Sequence, residues 1–198
     1  ENYTIFMIVA LIPWNFFTIA IQTGTSCVNV NGNILKKVYF PREIIPLSVT
    51  ISQLINFLIT CLIMAVFILV SGVGFSWHIL LFPLIAIVQY ILLLGIILIT
   101  CSINVYIRDA EYIIQFFVNM MFYATPIAYS ASRVPESFKW VVKVNPAAYI
   151  IEGFRDIFIN HQIPDMAGVG LLFGVSVVLF VLGYAVFNKL QKGFAEQL

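Results

Sequence analysis

The sequence predicts an all-α, polytopic membrane helix bundle, and three observations predict it. No Asp, Glu, Lys or Arg occurs between Glu1 and Lys36, Glu43 and Arg108, Glu111 and Arg133, or Asp165 and Lys189. Each of these stretches supplies the roughly 20 apolar helical residues needed to cross a hydrocarbon core of about 30 Å. Hydrophobic residues make up 62% of the 198 and charged residues only 10%, with a mean hydropathy of +1.02, outside the range of a soluble globular domain. The apolar runs also lack the period-two alternation of a membrane barrel strand, so their backbone polar groups must be satisfied within helices. Residues 1–198 read as a single transmembrane domain.

Five spans are expected. The first, residues 4–29, stops at the turn formers Asn29-Val30-Asn31-Gly32-Asn33. The second, residues 47–70, ends at Ser71-Gly72-Val73-Gly74, and Trp77 and His78 then mark a water interface. The third, residues 79–105, reverses at Arg108-Asp109-Ala110-Glu111. Arg108 there follows one helix while Asp109 and Glu111 open the next, so each charge complements a helix dipole. The fourth covers residues 112–129 and the fifth residues 166–188, followed by a polar tail.

Residues 130–164 are too polar to span and too apolar for a solvated loop. Two short amphipathic helices, interfacial or re-entrant, are expected there. In the first, Val134, Phe138, Val141 and Val142 oppose Glu136, Lys139 and Lys143. Asn145-Pro146 breaks it. In the second, Ala147, Ile150, Ile151, Phe154, Ile157 and Phe158 oppose Glu152, Asp156 and Asn160.

Orientation follows from the basic residues. With five spans, Lys36, Lys37, Arg42, Arg108, Lys189 and Lys192 share one side, and Arg133, Lys139, Lys143 and Arg155 the other. Six against four places the first group in the cytoplasm and the short helices outside. The chain opens at Glu1 without an initiator Met or the basic region of a signal peptide. A missing start is therefore expected, and an odd number of spans upstream would return the N-terminus to the cytoplasm.

Several function classes are disfavoured. Ten Lys and Arg against nine Asp and Glu give a net charge of +1, without the clustered positive charge that nucleic acid requires. Cys27, Cys61 and Cys101 are odd in number, far apart and inside apolar segments, and are expected as buried, inert thiols. No phosphate loop of the form Gly-x-x-x-x-Gly-Lys-Ser/Thr and no His-Glu-x-x-His occurs. His78 and His161 lie near span ends. No activated nucleophile or carboxylate cluster is visible, so catalysis within this chain, and a metal or cofactor of its own, are not expected.

Two patterns carry functional expectations. Residues 33–46 combine Lys36, Lys37, Tyr39, Phe40, Pro41, Arg42, Glu43 and Pro46. They suit either docking into a moving cytoplasmic partner or anchorage on anionic headgroups. Uncharged polar stripes form the second pattern: Asn15, Thr18, Gln22, Thr25 and Asn29; Tyr112, Gln115, Asn119, Tyr123 and Pro126; and Thr50, Gln53, Asn56 and Thr60. They suit a path for a hydroxyl-rich substrate or, equally, hydrogen bonding between packed helices. Ion-coupled transport would want an ionisable group near midplane, and none is evident. Gly170 and Gly174 form a small-xxx-small pair suited to close helix contact.

Lys37-Val38-Tyr39-Phe40-Pro41-Arg42-Glu43-Ile44-Ile45-Pro46, Asn104-Val105-Tyr106-Ile107-Arg108-Asp109, Thr125-Pro126-Ile127 and Asn145-Pro146 together resemble the transmembrane subunits of type-2 ABC exporters. The polysaccharide branch, which exports lipid-linked O-antigen or wall teichoic acid, fits best. The resemblance covers essentially the whole chain. It implies six spans in the full protein, a homodimer in the bacterial cytoplasmic membrane, and two ATP-binding-cassette ATPase subunits that bind ATP and Mg²⁺. It also implies that residues 36–46 meet the ATPase, that Arg108-Asp109 marks a cytoplasmic turn, and that Asn145-Pro146 divides two external re-entrant helices. The implied path forms between the two copies, for an undecaprenyl-linked polymer moving among membrane lipids, and Asn15, Thr18, Gln22, Gln115, Asn119 and Tyr123 are its expected contacts. Another cargo, such as a drug, lipid or heme, is the alternative within the family. A channel or secondary transporter is the alternative outside it.

Overall fold

The structure, a computed structural model, describes residues 3–32, 35, 41–70, 72, 74, 76–129, 140 and 144–194. All its regular elements are helical. Helix α1 runs Tyr3–Val30 and α2 runs Ile44–Val70. A 3-10 turn at Trp77–Leu81 leads into α3, Phe82–Tyr106. After a tight reversal comes α4, Ala110–Ala124. The short α5, Pro146–Arg155, continues as a π-helical turn over Asp156–Asn160. Helix α6 is Met166–Leu190, closed by a 3-10 turn at Gln191–Gly193.

Four of these segments are long and apolar enough to cross a membrane: Tyr3–Val30, Ile44–Val70, Trp77–Tyr106 and Met166–Gly193. They match four of the expected spans. The expected fourth span, residues 112–129, differs. Helix α4 has 15 residues, about 22 Å at 1.5 Å per residue, and it ends at Ala124. Thr125 is extended, at φ −101° and ψ 135°, because the ring of Pro126 disfavours helical geometry at the residue before it. Among the described residues, four helices are of spanning length and the remaining expected span is the shorter α4. Tyr3, at the start of α1, donates to the Ala128 carbonyl at 3.4 Å, so the chain beyond α4 still reaches the end of the bundle where α1 begins.

Local chemistry explains the remaining boundaries. Gly72 and Gly74 hold φ of 75° and 74°, a left-handed conformation open to residues without Cβ, and this turns the chain after α2. Pro83 lies in the first turn of α3, where a missing N–H costs nothing. Asp165 accepts from the Ala167 amide at 3.1 Å and caps α6.

Helix α3 is the hub of the bundle, with α1 and α6 packed most extensively against it. Buried residues fill 61% of its apolar stretch against 22% in both α2 and α6, so α2 and α6 present the broad apolar faces. Close approach of α3 and α6 depends on Gly95 and Gly183. A Cβ on Gly183 would strike the Gly95 carbonyl oxygen, and one on Gly95 would lie 2.7 Å from the Phe180 amide nitrogen. Gly170 and Gly174, the expected contact pair, instead face open space.

The second amphipathic helix packs into the bundle. Its Ala147, Ile150 and Ile151 share a niche with Pro13, Trp14 and Phe17 of α1 and Gln89 of α3, near the middle of α1. Phe154 meets Phe57 of α2 at 6.0 Å and Phe82 of α3 at 5.6 Å, edge to face in both cases. The expected apolar face of this helix is buried throughout. The first amphipathic helix, with its Val134 to Lys143 pattern, lies outside the described residues. Cys27, Cys61 and Cys101 are buried thiols.

Candidate functional site

The expected substrate-path residues fall on α1 and α4. Along α4, Tyr112, Gln115, Asn119 and Tyr123 are all exposed, whereas Pro126, beyond the helix end, is buried. On α1, Asn15 is exposed and Thr18 and Gln22 are half-buried. Farther along α1 the stripe is taken up by packing. Thr25 donates to Thr100 Oγ1 at 2.9 Å, and Asn29 donates to the Asn104 carbonyl at 2.9 Å. The Thr50 stripe on α2 is occupied locally, with Thr50 and Thr60 donating to their own helix at Pro46 and Asn56.

Where the α1 and α4 stripes converge, a cleft of about 200 Å³ opens, lined by Gln22, Thr25, Ser26, Glu111, Ile114 and Gln115. Gln22 and Gln115 are expected path residues brought together here. Glu111, expected only as a helix-dipole charge, is the carboxylate of the cleft.

Asn104 fixes this end of the cleft. It is fully buried; its side chain donates to the Thr25 carbonyl at 3.2 Å and accepts from the Glu111 amide at 3.1 Å. Asp109, expected to serve the start of α4, makes no side-chain cap, so Asn104, arriving from α3, satisfies an orphan donor of that helix. Arg108 and Asp109 are exposed in the turn between α3 and α4.

At the same end the approach to α2 is tied to the end of α6. The Arg42 guanidinium donates to the Gln191 carbonyl, and Tyr106 donates to the Leu190 carbonyl at 2.8 Å. Both place donors on carbonyls at the close of α6, Leu190 at its last residue and Gln191 in the 3-10 turn that follows. Pro41 is exposed and Glu43 half-buried. Lys36, Lys37, Tyr39 and Phe40 lie outside the described residues.

The opposite end is organised by Asn145 and Arg155. Asn145 accepts from the Ala147 amide at 3.0 Å, capping α5, and donates to Thr125 Oγ1 at 2.7 Å. Pro146 takes the first turn of α5. Arg155 donates to the Pro126 and Ile127 carbonyls, both at 2.6 Å, and its guanidinium lies 3.7 Å from the centre of the Phe6 ring. Arg155 enters the sequence reading only as a basic residue of the outer side. It is 94% buried, its rigid planar fork satisfying two carbonyls just beyond the end of α4. Burial pulls its pKa down to about 10, leaving it charged at neutral pH. Glu152, one turn earlier, is pushed above the usual carboxylate range by burial and then by Asp156, with Arg155 opposing. One signal for the inward arginine was present in the sequence: position 155 is four residues after Ile151 and three before Phe158, on the apolar face.

Residues 2–159 match the family described as ABC-2 type transporter. The chain belongs to this family. Two Klebsiella pneumoniae proteins described as O-antigen export system permease protein RfbA are 37% and 36% identical to it over 201 residues. A protein of the same description from Myxococcus xanthus is 31% identical over 199 residues. Each comparison covers 100% of this chain and 76% of the relative. With four long apolar helices among the described residues, this ABC-2 permease is a multi-pass protein of the inner membrane.

Proposed function

We propose that this chain is the membrane subunit of an ATP-driven exporter that carries a lipid-linked O-antigen-type or teichoic-acid-type polysaccharide out across the cytoplasmic membrane. Two copies form the path, and two ATP-binding-cassette subunits bind ATP and Mg²⁺. The observation that carries this reading is the exposed, uncharged stripe of Tyr112, Gln115, Asn119 and Tyr123 on α4. In lipid such polar groups would lack partners. Beside a moving glycan they offer exchangeable hydrogen bonds and aromatic faces. Weak contacts matter, because tight binding of every repeating unit would stall the polymer. The relatives' description as O-antigen export permeases supports the same cargo class.

The Arg42 end faces the cytoplasm in this reading. A push from the ATPase on residues 36–46 reaches α2 directly and α6 through Arg42 and Gln191. The Gly95–Gly183 contact passes the movement to α3, and Asn104 passes it from α3 to α1 and α4. The test is reconstitution of the full-length protein with its ATPase subunit in proteoliposomes, following an undecaprenyl-pyrophosphate-linked glycan. ATP-dependent translocation of the glycan is expected. Translocation without nucleotide, or ATP-dependent movement of some other cargo alone, would overturn the proposal.

A further inference from the structure

We infer that the cleft between α1 and α4 is a subsite for one neutral sugar unit, with Glu111 as its charged hydrogen-bond acceptor. This rests on the export reading and gives one part of the path a defined ligand chemistry. The cleft holds about 200 Å³, equivalent to about seven waters at 30 Å³ each. That is room for one sugar ring.

Its chemistry selects hydroxyl groups. Gln22 and Gln115 each bring a carbonyl acceptor and an NH₂ donor, and neither side-chain amide has a hydrogen-bond partner among the described residues. Glu111 makes only a long 3.5 Å contact from Oε2 to Asn104 Nδ2, so its carboxylate retains acceptor capacity. Hydrogen bonds from hydroxyls to a carboxylate are short and stronger than neutral ones. The Glu111 backbone is held by Asn104, which fixes the position from which the carboxylate reaches into the cleft. Among the described residues no Lys or Arg lines the cleft, so the pyrophosphate of a lipid-linked glycan meets the Glu111 carboxylate there. The site therefore favours the sugar over its anionic carrier.

Position supports a role in loading. Gln22 is eight residues from the end of α1 and Glu111 is in the first turn of α4, so the cleft opens near the Arg42 end. From it the exposed series Gln115, Asn119 and Tyr123 runs along α4 toward the opposite end. A sugar seated against Glu111 would stand at the start of that series.

The test is glycan-stimulated ATP hydrolysis by the full-length permease with its ATPase in proteoliposomes. Two substrates are titrated: an undecaprenyl-pyrophosphate-linked oligosaccharide of neutral hexoses, and undecaprenyl pyrophosphate without sugar. Glu111→Gln should raise the half-saturating concentration of the glycan roughly tenfold, with the maximal rate changed less than about twofold and the response to the sugar-free lipid unmoved. Gln115→Leu, on the exposed rim, should raise the same constant roughly threefold and decides the matter if the Glu111 variant does not fold. Unchanged half-saturation in the folded variants, an equal shift for both lipids, or a loss confined to maximal rate would each overturn the subsite. So would a wild-type response that needs an added cation and loses that need in Glu111→Gln. A wild-type complex that no glycan stimulates would remove the export reading itself, and the subsite with it.

Discussion

Arg155 concentrates the largest single-residue consequence in the molecule. Two buried carbonyls and a half-buried aromatic ring meet one guanidinium. Arg155→Met should cost about 3 kcal/mol or more, because both carbonyls would lose their charged donor inside the bundle. Arg155→Lys should restore little, since a point charge cannot occupy two carbonyls with the geometry of a planar fork. Thermal unfolding in detergent checks both, and a lysine variant as stable as the wild type would refute the fork argument. Glu152 has the opposite character. Its folded-state pKa is raised, so the folded protein holds its proton more firmly than the unfolded chain does. Stability accordingly falls as pH rises from the ordinary glutamate range through the raised value, then levels off. Glu152→Gln should raise the melting temperature at neutral and alkaline pH, with the gain vanishing on acidification below the ordinary range. A gain independent of pH would contradict this assignment.

The helices divide by how they meet their neighbours. Helices α3 and α6 touch backbone to backbone at Gly95 and Gly183, and a methyl group there has nowhere to go. Gly183→Ala should destabilise by about 1–3 kcal/mol, whereas Gly170→Ala and Gly174→Ala should stay within about 0.5 kcal/mol. Melting temperatures measured side by side would distinguish them, and equal losses would mean that the Gly170 face is also packed. A small-xxx-small spacing was readable in the sequence at Gly170 and Gly174, but the close contact within this chain forms at Gly95 and Gly183. Spacing shows that two glycines share a helix face, not which helix lies opposite. Helix α4 makes the same point for length. Hydropathy extends across Thr125-Pro126-Ile127, yet steric restriction at Thr125 ends the helix, and the groups released there find Asn145 and Arg155 twenty and nearly thirty residues later.

For the whole molecule the decisive link joins the Arg42 end to the helices. Arg42 is expected in a docking surface, and its guanidinium also holds the 3-10 turn that closes α6. Arg42→Ala should therefore leave ATP hydrolysis by the complex largely intact while reducing glycan export several-fold, and Phe40→Ala, on the same expected docking surface, should do likewise. Parallel assays of hydrolysis and transport check this, and normal export by both variants would reject the coupling role. The sequence by itself determined that the chain is a helical membrane bundle, where its long apolar helices lie, and that the helix after Asn145-Pro146 is amphipathic. Those properties are set by length, hydropathy and near-neighbour periodicity, which act within a single segment. Only the tertiary structure decided that Arg155 points inward, that Asn104 caps α4, that Gly95 meets Gly183, and that Gln22, Gln115 and Glu111 share a cleft. Each of these depends on a partner distant in the chain, and local pattern carries no information about which surfaces the fold will bring together.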